Sequence, residues 1–189
     1  MKYFTEKWYK SKENINANEY YDYMRSNYAY YPQWFRAYNV VDSGSFLFHD
    51  AMIDEIVYSK NDIVINMVGH LNPPDEKFNY PYGRSFSLIL SEAEFAQKPD
   101  VADAMDVVAE ELYCSADGCE LHMLLIDDES FELCNLTAKC KSIAIEYEKI
   151  SFMFYIKFKF IEFFNNLKKE NRRKKKIRKR RNRLNNRQK

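Results

Sequence analysis

Apolar side chains at every second position constrain this chain more than any other feature. Ile63, Ile65 and Met67 obey that rule, Leu121, Met123 and Leu125 repeat it, and Ile143, Ile145 and Tyr147 repeat it again. A period of two puts those residues on one face of an extended strand, so the sequence predicts a sheet with one face turned to a core. Turn chemistry separates the runs. The polar stretch Ser59-Lys60-Asn61-Asp62 lies between a run through Ile53, Ile56 and Val57 and the run that starts at Ile63, which predicts a β-hairpin over residues 46–68 turning at Lys60-Asn61-Asp62. Leu71 to Gly83 holds three prolines, which deny ladder donors to a strand, and reads as a loop before a strand from Arg84 to Leu90. Asp127-Asp128-Glu129-Ser130 turns the chain again, with Phe131 and Leu133 continuing into the next strand.

Two segments carry a helical period instead. Phe4 and Trp8, then Tyr20, Met24 and Tyr28, recur at spacings of four within residues 1–38, a region holding nine of the fifteen tyrosines and both tryptophans. Pro32 marks a break between this helical region and the strands beyond it. Asp100 is placed to cap an amphipathic helix of about residues 100–113, with Val101, Ala104, Met105, Val108 and Leu112 on one stripe. The expected fold class is therefore α+β: N-terminal aromatic-rich helices, then an antiparallel β-sheet with one inserted amphipathic helix, and a basic C-terminal tail. With 189 residues, 46% of them hydrophobic, the chain has material for one main core. The expected organisation is a single domain over 1–147, an aromatic-rich extension over 148–167 and a basic tail over 168–189, helical or disordered. In the extension Ile150, Phe152, Phe154, Ile156, Phe158 and Phe160 alternate as one further strand would.

Charge divides the chain sharply. Residues 168–189 hold fourteen Lys or Arg against Glu170 alone, +13, so the net charge of +1 leaves −12 on residues 1–167. Such a cationic segment condenses onto polyanions without reading their sequence. Lys174, Lys175, Lys176, Arg178, Lys179, Arg180 and Arg181 are the candidate polyanion-binding residues. Folding of the tail back onto the acidic body is the competing expectation. The longest apolar stretch, Ile150 to Phe164, is broken by Lys157, Lys159 and Glu162, so no membrane span is expected, and with no signal peptide at the N-terminus the expected location is cytoplasmic.

Candidate chemistry is sparse. His49-Asp50, with Asp54 and Glu55 close behind, offers an imidazole and carboxylates that a divalent metal or a proton-transfer step uses, but on a strand His49 and Asp50 point to opposite faces. The simpler expectation is that one of them caps a turn. His122 shares a strand face with Glu120 and reads as an ordinary strand residue. Four residues separate Cys114 from Cys119 and five separate Cys134 from Cys140, spacings unlike a zinc knuckle, so free thiols are expected. There is no Walker loop, dinucleotide fingerprint, His-Glu-x-x-His or Gly-x-Ser-x-Gly. No cofactor, structural metal or catalytic residue is expected.

The opening Met1-Lys2-Tyr3-Phe4-Thr5-Glu6-Lys7-Trp8-Tyr9, with Phe48-His49-Asp50-Ala51, Glu120-Leu121-His122-Met123-Leu124-Leu125 and Phe131-Glu132-Leu133, resembles the bacterial family known as domain of unknown function 4085, over roughly residues 1–147. The resemblance implies no activity, cofactor or site residue. Residues 148–189 depart from it, as an extension peculiar to this lineage or as a run-on reading frame in an A-rich gene. The leading functional expectation is a non-enzymatic domain that binds an unknown protein partner. The alternatives are non-specific nucleic-acid association through residues 168–189 and a metal-dependent enzyme using the His49-Asp50 region.

Overall fold

The computed structural model describes residues 2–11, 17–44, 46–74, 83–97, 104–127 and 129–149. Its described elements belong to a unit spanning Met1–Glu148, distinct from Lys149–Lys189. The expected strand over Ile150 to Phe160, the basic tail, and the start of the expected helix at Asp100 and Val101 lie outside the described residues.

β1 (Met52–Ser59) and β2 (Asp62–Gly69) form the expected hairpin, Ser59 facing Asp62 across the turn residues Lys60 and Asn61. Lys60 takes a left-handed φ of 55°, the hand that lets a two-residue turn match the strand twist. The strand starts at Met52 and not at Phe46, because residues 46–51 turn and Asp50 adopts φ 62°. β3 (Arg84–Ser91) pairs with β2 as expected, and β4 (Glu94–Gln97) comes next. β5 (Met105–Ser115), β6 (Gly118–Asp127), β7 (Leu133–Cys140) and β8 (Ser142–Tyr147) complete an antiparallel sheet of order β4-β7-β6-β5-β1-β2-β3-β8.

The two ends of that order are one pair of strands. β3 runs through Glu92 and Ala93 into β4, β7 runs through Lys141 into β8, and these partners stay paired on both sides of the kinks. Lys141 N still donates to Ser91 O at the corner. The ladder therefore curls back on itself as a barrel, and its remaining seam is the contact of β1 with β5. That seam holds one bridge, Met52 opposite Asp106, reinforced by Asp50 N to Val107 O, Val107 N to Ala51 O and Ala104 N to Ile53 O. Ile53, Ile65, Met67, Phe86, Leu88, Leu90, Leu121, Met123 and Leu136 are fully buried.

The expected helix over about 100–113 is wrong from Met105 onward, where the chain is strand β5. Two causes combine. A β-bulge between Val107 and Ala109 reverses the alternation, so Met105, Val108 and Leu112 mimic a helical stripe, and residues 107–112 are buried on both faces, which erases the polar half of a period of two. Phe131 also departs from expectation: it sits in the turn at φ 58° and is 74% exposed.

Among the described residues four short helices, α1 (Glu6–Ser11), α2 (Asn18–Ser26), α3 (Gln33–Ala37) and α4 (Val40–Ser43), cover the barrel, with a 3-10 turn at Tyr28–Tyr30 between α2 and α3. Tyr20 and Met24 face the core from α2 as their spacing predicts, whereas Tyr28, the third member of that run, lies beyond the end of α2 at Ser26 and is exposed in the 3-10 turn; Phe4 is buried just ahead of α1. No helix among the described residues is long and apolar enough to cross a membrane.

Candidate interaction surface

β5 parts from β1 after one bridge, which leaves the backbone groups of Leu112 and Cys114, both turned away from β6, in need of other partners. The N-terminal tyrosines supply them. Leu112 N donates to the Tyr20 hydroxyl at 2.8 Å, the Tyr31 hydroxyl donates to Leu112 O at 2.6 Å, and the Tyr23 hydroxyl donates to Cys114 O at 3.2 Å. Trp34 does the same for the outer edge of β8, its Nε1 donating to Ile143 O at 3.0 Å. Burial pushes the Tyr20 and Tyr31 phenols well above their ordinary range, so both remain donors at any physiological pH. The tyrosine-rich N-terminus thus serves as a hydrogen-bonding cover for strand edges.

Adjacent carboxylates on β5 hold two further chain segments. Glu111, fully buried, accepts from Lys2 N, Tyr3 N and Phe4 N, each at 2.8 Å, and from the Tyr113 hydroxyl at 2.7 Å. Burial raises its pKa, but the four donors outweigh that and hold it below the usual carboxylate value. Glu110, on the other face, accepts from Leu47 N, while among the described residues its Oε2 has no hydrogen-bond partner. Burial pushes Glu110 up to about 7. Two glutamates inside the apolar run Val107 to Leu112 were the available sequence signal for these clasps.

His122 lies beside Glu111 on the β5–β6 ladder. Its Nδ1 is 3.1 Å from Thr137 Oγ1 and its Nε2 is 3.3 Å from Glu120 Oε1. Burial lowers its pKa, so the ring is neutral, and a proton on Nε2 satisfies both contacts. With both nitrogens engaged, His122 is a bridging strand residue, as its sequence position suggests. His49 and Asp50 fall in the exposed turn before β1, where His49 Nδ1 lies 2.9 Å from Asp50 Oδ1 and the His49 ring stacks on Phe46. The turn brings the two side chains together where a strand would part them. No group of three or more His, Cys, Asp or Glu suited to a metal occurs among the described residues. The candidate polyanion-binding residues from Lys174 to Arg181 lie outside the described residues.

The expectation of four free thiols is corrected. Cys114 and Cys119 are disulfide-bonded, with Cα atoms 4.2 Å apart, whereas Cys134 and Cys140 are free. The pair faces across the β5–β6 hairpin, whose turn residues are Ala116 and Asp117, so a spacing of five meets without any change of backbone. Hairpin register was the missed signal.

What the tyrosine cover presents to solvent is an aromatic patch. Tyr28 is 41% and Tyr30 is 52% exposed, although Tyr31, next in sequence, is buried and bonded to β5. The Arg36 guanidinium lies over the Tyr28 ring, 5.7 Å from its centroid. Comparison with family models, curated proteins and solved structures finds no match to this chain.

Proposed function

We propose that this chain is a non-enzymatic protein-binding domain whose contact surface centres on Tyr28, Tyr30 and Arg36. The observation that carries this reading is the exposure of two tyrosines on a turn fixed to the barrel through Tyr31. Tyrosine and arginine are enriched at interface hot spots, and aromatic anchors held on a rigid support lose little conformational freedom on binding. The resemblance to a family without an assigned activity adds no chemistry to this reading.

The test places a photo-reactive phenylalanine analogue at position 30 of the full chain in cells, with position 58 as control, since Tyr58 is comparably exposed at 56%. One recurrent protein adduct from position 30, absent from position 58, supports the reading. No adduct, or the same adducts from both positions, rejects it.

A second reading rests on charge alone: fourteen Lys or Arg against one Glu in residues 168–189 favour non-specific binding of nucleic acid. If about six phosphates are contacted, affinity for a mixed-sequence RNA should fall roughly a thousandfold between 50 and 200 mM salt. Replacing Lys174, Lys175, Lys176, Arg178, Lys179, Arg180 and Arg181 by Gln should abolish that dependence. Feeble binding by the full chain at low salt, beside strong binding by a synthetic 168–189 peptide, would favour fold-back onto the acidic body instead.

A further inference from the structure

Three of the four cysteines fall on one row of the sheet. Cys114 on β5 faces Cys119 on β6, and Cys119 faces Cys140 on β7. Cys119 therefore has a sulfur-bearing neighbour on each side. The Cys140 thiol is already drawn toward it, lying 3.6 Å from the Cys119 carbonyl oxygen, and is free while its two neighbours are joined. An open cleft of about 250 Å³ at this end of the barrel is lined by Cys119, Cys140, Tyr23, Tyr113 and Lys139.

We infer that Cys119 is a shared sulfur, and that its disulfide passes between Cys114 and Cys140 by intramolecular thiol–disulfide exchange. The Cys140 thiolate attacks Cys119 Sγ, the Cys119–Cys140 bond forms as the Cys114–Cys119 bond breaks, and Cys114 leaves as the thiolate. Cys114 then takes up a proton equivalent to the one Cys140 gave up. No oxidant or reductant is consumed, because one disulfide and one thiol are present before and after. Directly opposed positions on neighbouring strands lie within disulfide reach on either side of Cys119.

The exchange changes what the bond restrains. Between Cys114 and Cys119, five residues apart, it staples a hairpin that the turn already closes. Between Cys119 and Cys140, 21 residues apart, it would tie β6 to β7 next to the Lys141 corner where the barrel closes. A cross-link over the longer loop removes more freedom from the unfolded chain. Burial holds the Cys140 thiol up to about 11, so exchange is slow near neutrality and quickens with pH.

The full-length oxidised protein should be incubated at several pH values from about 7 to 9.5, quenched in acid, alkylated, digested without reduction and mapped by mass spectrometry. A peptide pair joining Cys119 to Cys140 is expected to accumulate beside the Cys114–Cys119 pair. Its rate should rise about tenfold per pH unit, in step with the thiolate fraction, and should not depend on protein concentration. Cys140→Ala should retain only the hairpin disulfide, and Cys114→Ala treated with oxidised glutathione should form Cys119–Cys140. The inference is overturned if the wild-type protein never yields the Cys119–Cys140 pair, or yields it at a rate proportional to concentration. The wild-type time course decides the matter even if Cys114→Ala does not fold.

Discussion

The hydroxyl of Tyr31 donates to the carbonyl of Leu112, 81 positions away, across 2.6 Å. The contact joins the 3-10 turn that presents Tyr28 and Tyr30 to the strand edge that the barrel leaves open. Tyr31→Phe keeps the ring and removes only the donor. It should destabilise the fold by about 0.5–1.5 kcal/mol, the net worth of one hydrogen bond, because Leu112 O keeps the longer contact from the Tyr20 hydroxyl at 3.4 Å. Urea unfolding with unchanged m checks this, and a midpoint equal to wild type would show that the hydroxyl is dispensable.

Glu110 should make stability fall with pH. Its folded pKa, about 7, lies above the ordinary 4.5, so between those values the folded state holds more protons than the unfolded one. The contribution is fully present below the unfolded pKa and is lost as pH rises through about 7. Glu110→Gln, whose amide oxygen still accepts from Leu47 N, should gain on wild type by roughly 2–3 kcal/mol between pH 4.5 and pH 8. Parallel unfolding midpoints across that range would expose an error in the burial argument.

Glu111 has the opposite sign. Although burial works against its charged form, the amides of Lys2, Tyr3 and Phe4 and the Tyr113 hydroxyl depress its pKa overall, so its contribution is present above the unfolded pKa and is lost as pH falls through the folded one. Glu111→Gln should cost about 1–3 kcal/mol at pH 7 and less in acid. Hydrogen exchange at Tyr3 and Phe4 should quicken in the same variant, and unchanged protection there would contradict the clasp.

Gly118 opens β6 at φ 139°, and a Cβ built on it would lie 2.5 Å from the backbone oxygen of Cys140. A rigid ladder atom cannot step aside as a flexible side chain would. Gly118→Ala should therefore lower stability by about 1–3 kcal/mol, read as a drop in thermal midpoint, whereas Gly44→Ala meets only the Tyr21 side chain, its hydroxyl at 3.5 Å, and tests φ strain alone.

The hairpin at Lys60-Asn61 and the strands β3, β6 and β8 were legible because one face of each alternates cleanly and a turn closes or precedes the run. β5 was not. Burial on both faces and the bulge at Val108 leave a pattern that local periodicity assigns to a helix, and only the neighbours β1 and β6 resolve it. β4 gives almost no signal, with Phe95 its only large apolar residue. The wealth of tyrosine was visible, but its role was not, because which strand edge needs a donor is a property of the assembled sheet. The same holds for Cys114, Cys119 and Cys140, whose row exists only once β5, β6 and β7 are in register.

The kinks at Glu92-Ala93 and Lys141 also bear on how the barrel is reached from a random chain. The hairpins β1–β2 and β5–β6 close over two-residue turns and nucleate locally, on the order of microseconds. The pairing of Leu90 with Ile143 has no such head start, since β4, β5, β6 and β7 intervene in sequence and must be gathered first. Loop-closure entropy opposes that pairing before any ladder rewards it. Substitutions along Leu88, Leu90, Ile143 and Ile145 should therefore act mainly on the unfolding rate, and those in the two tight hairpins on the rate of folding.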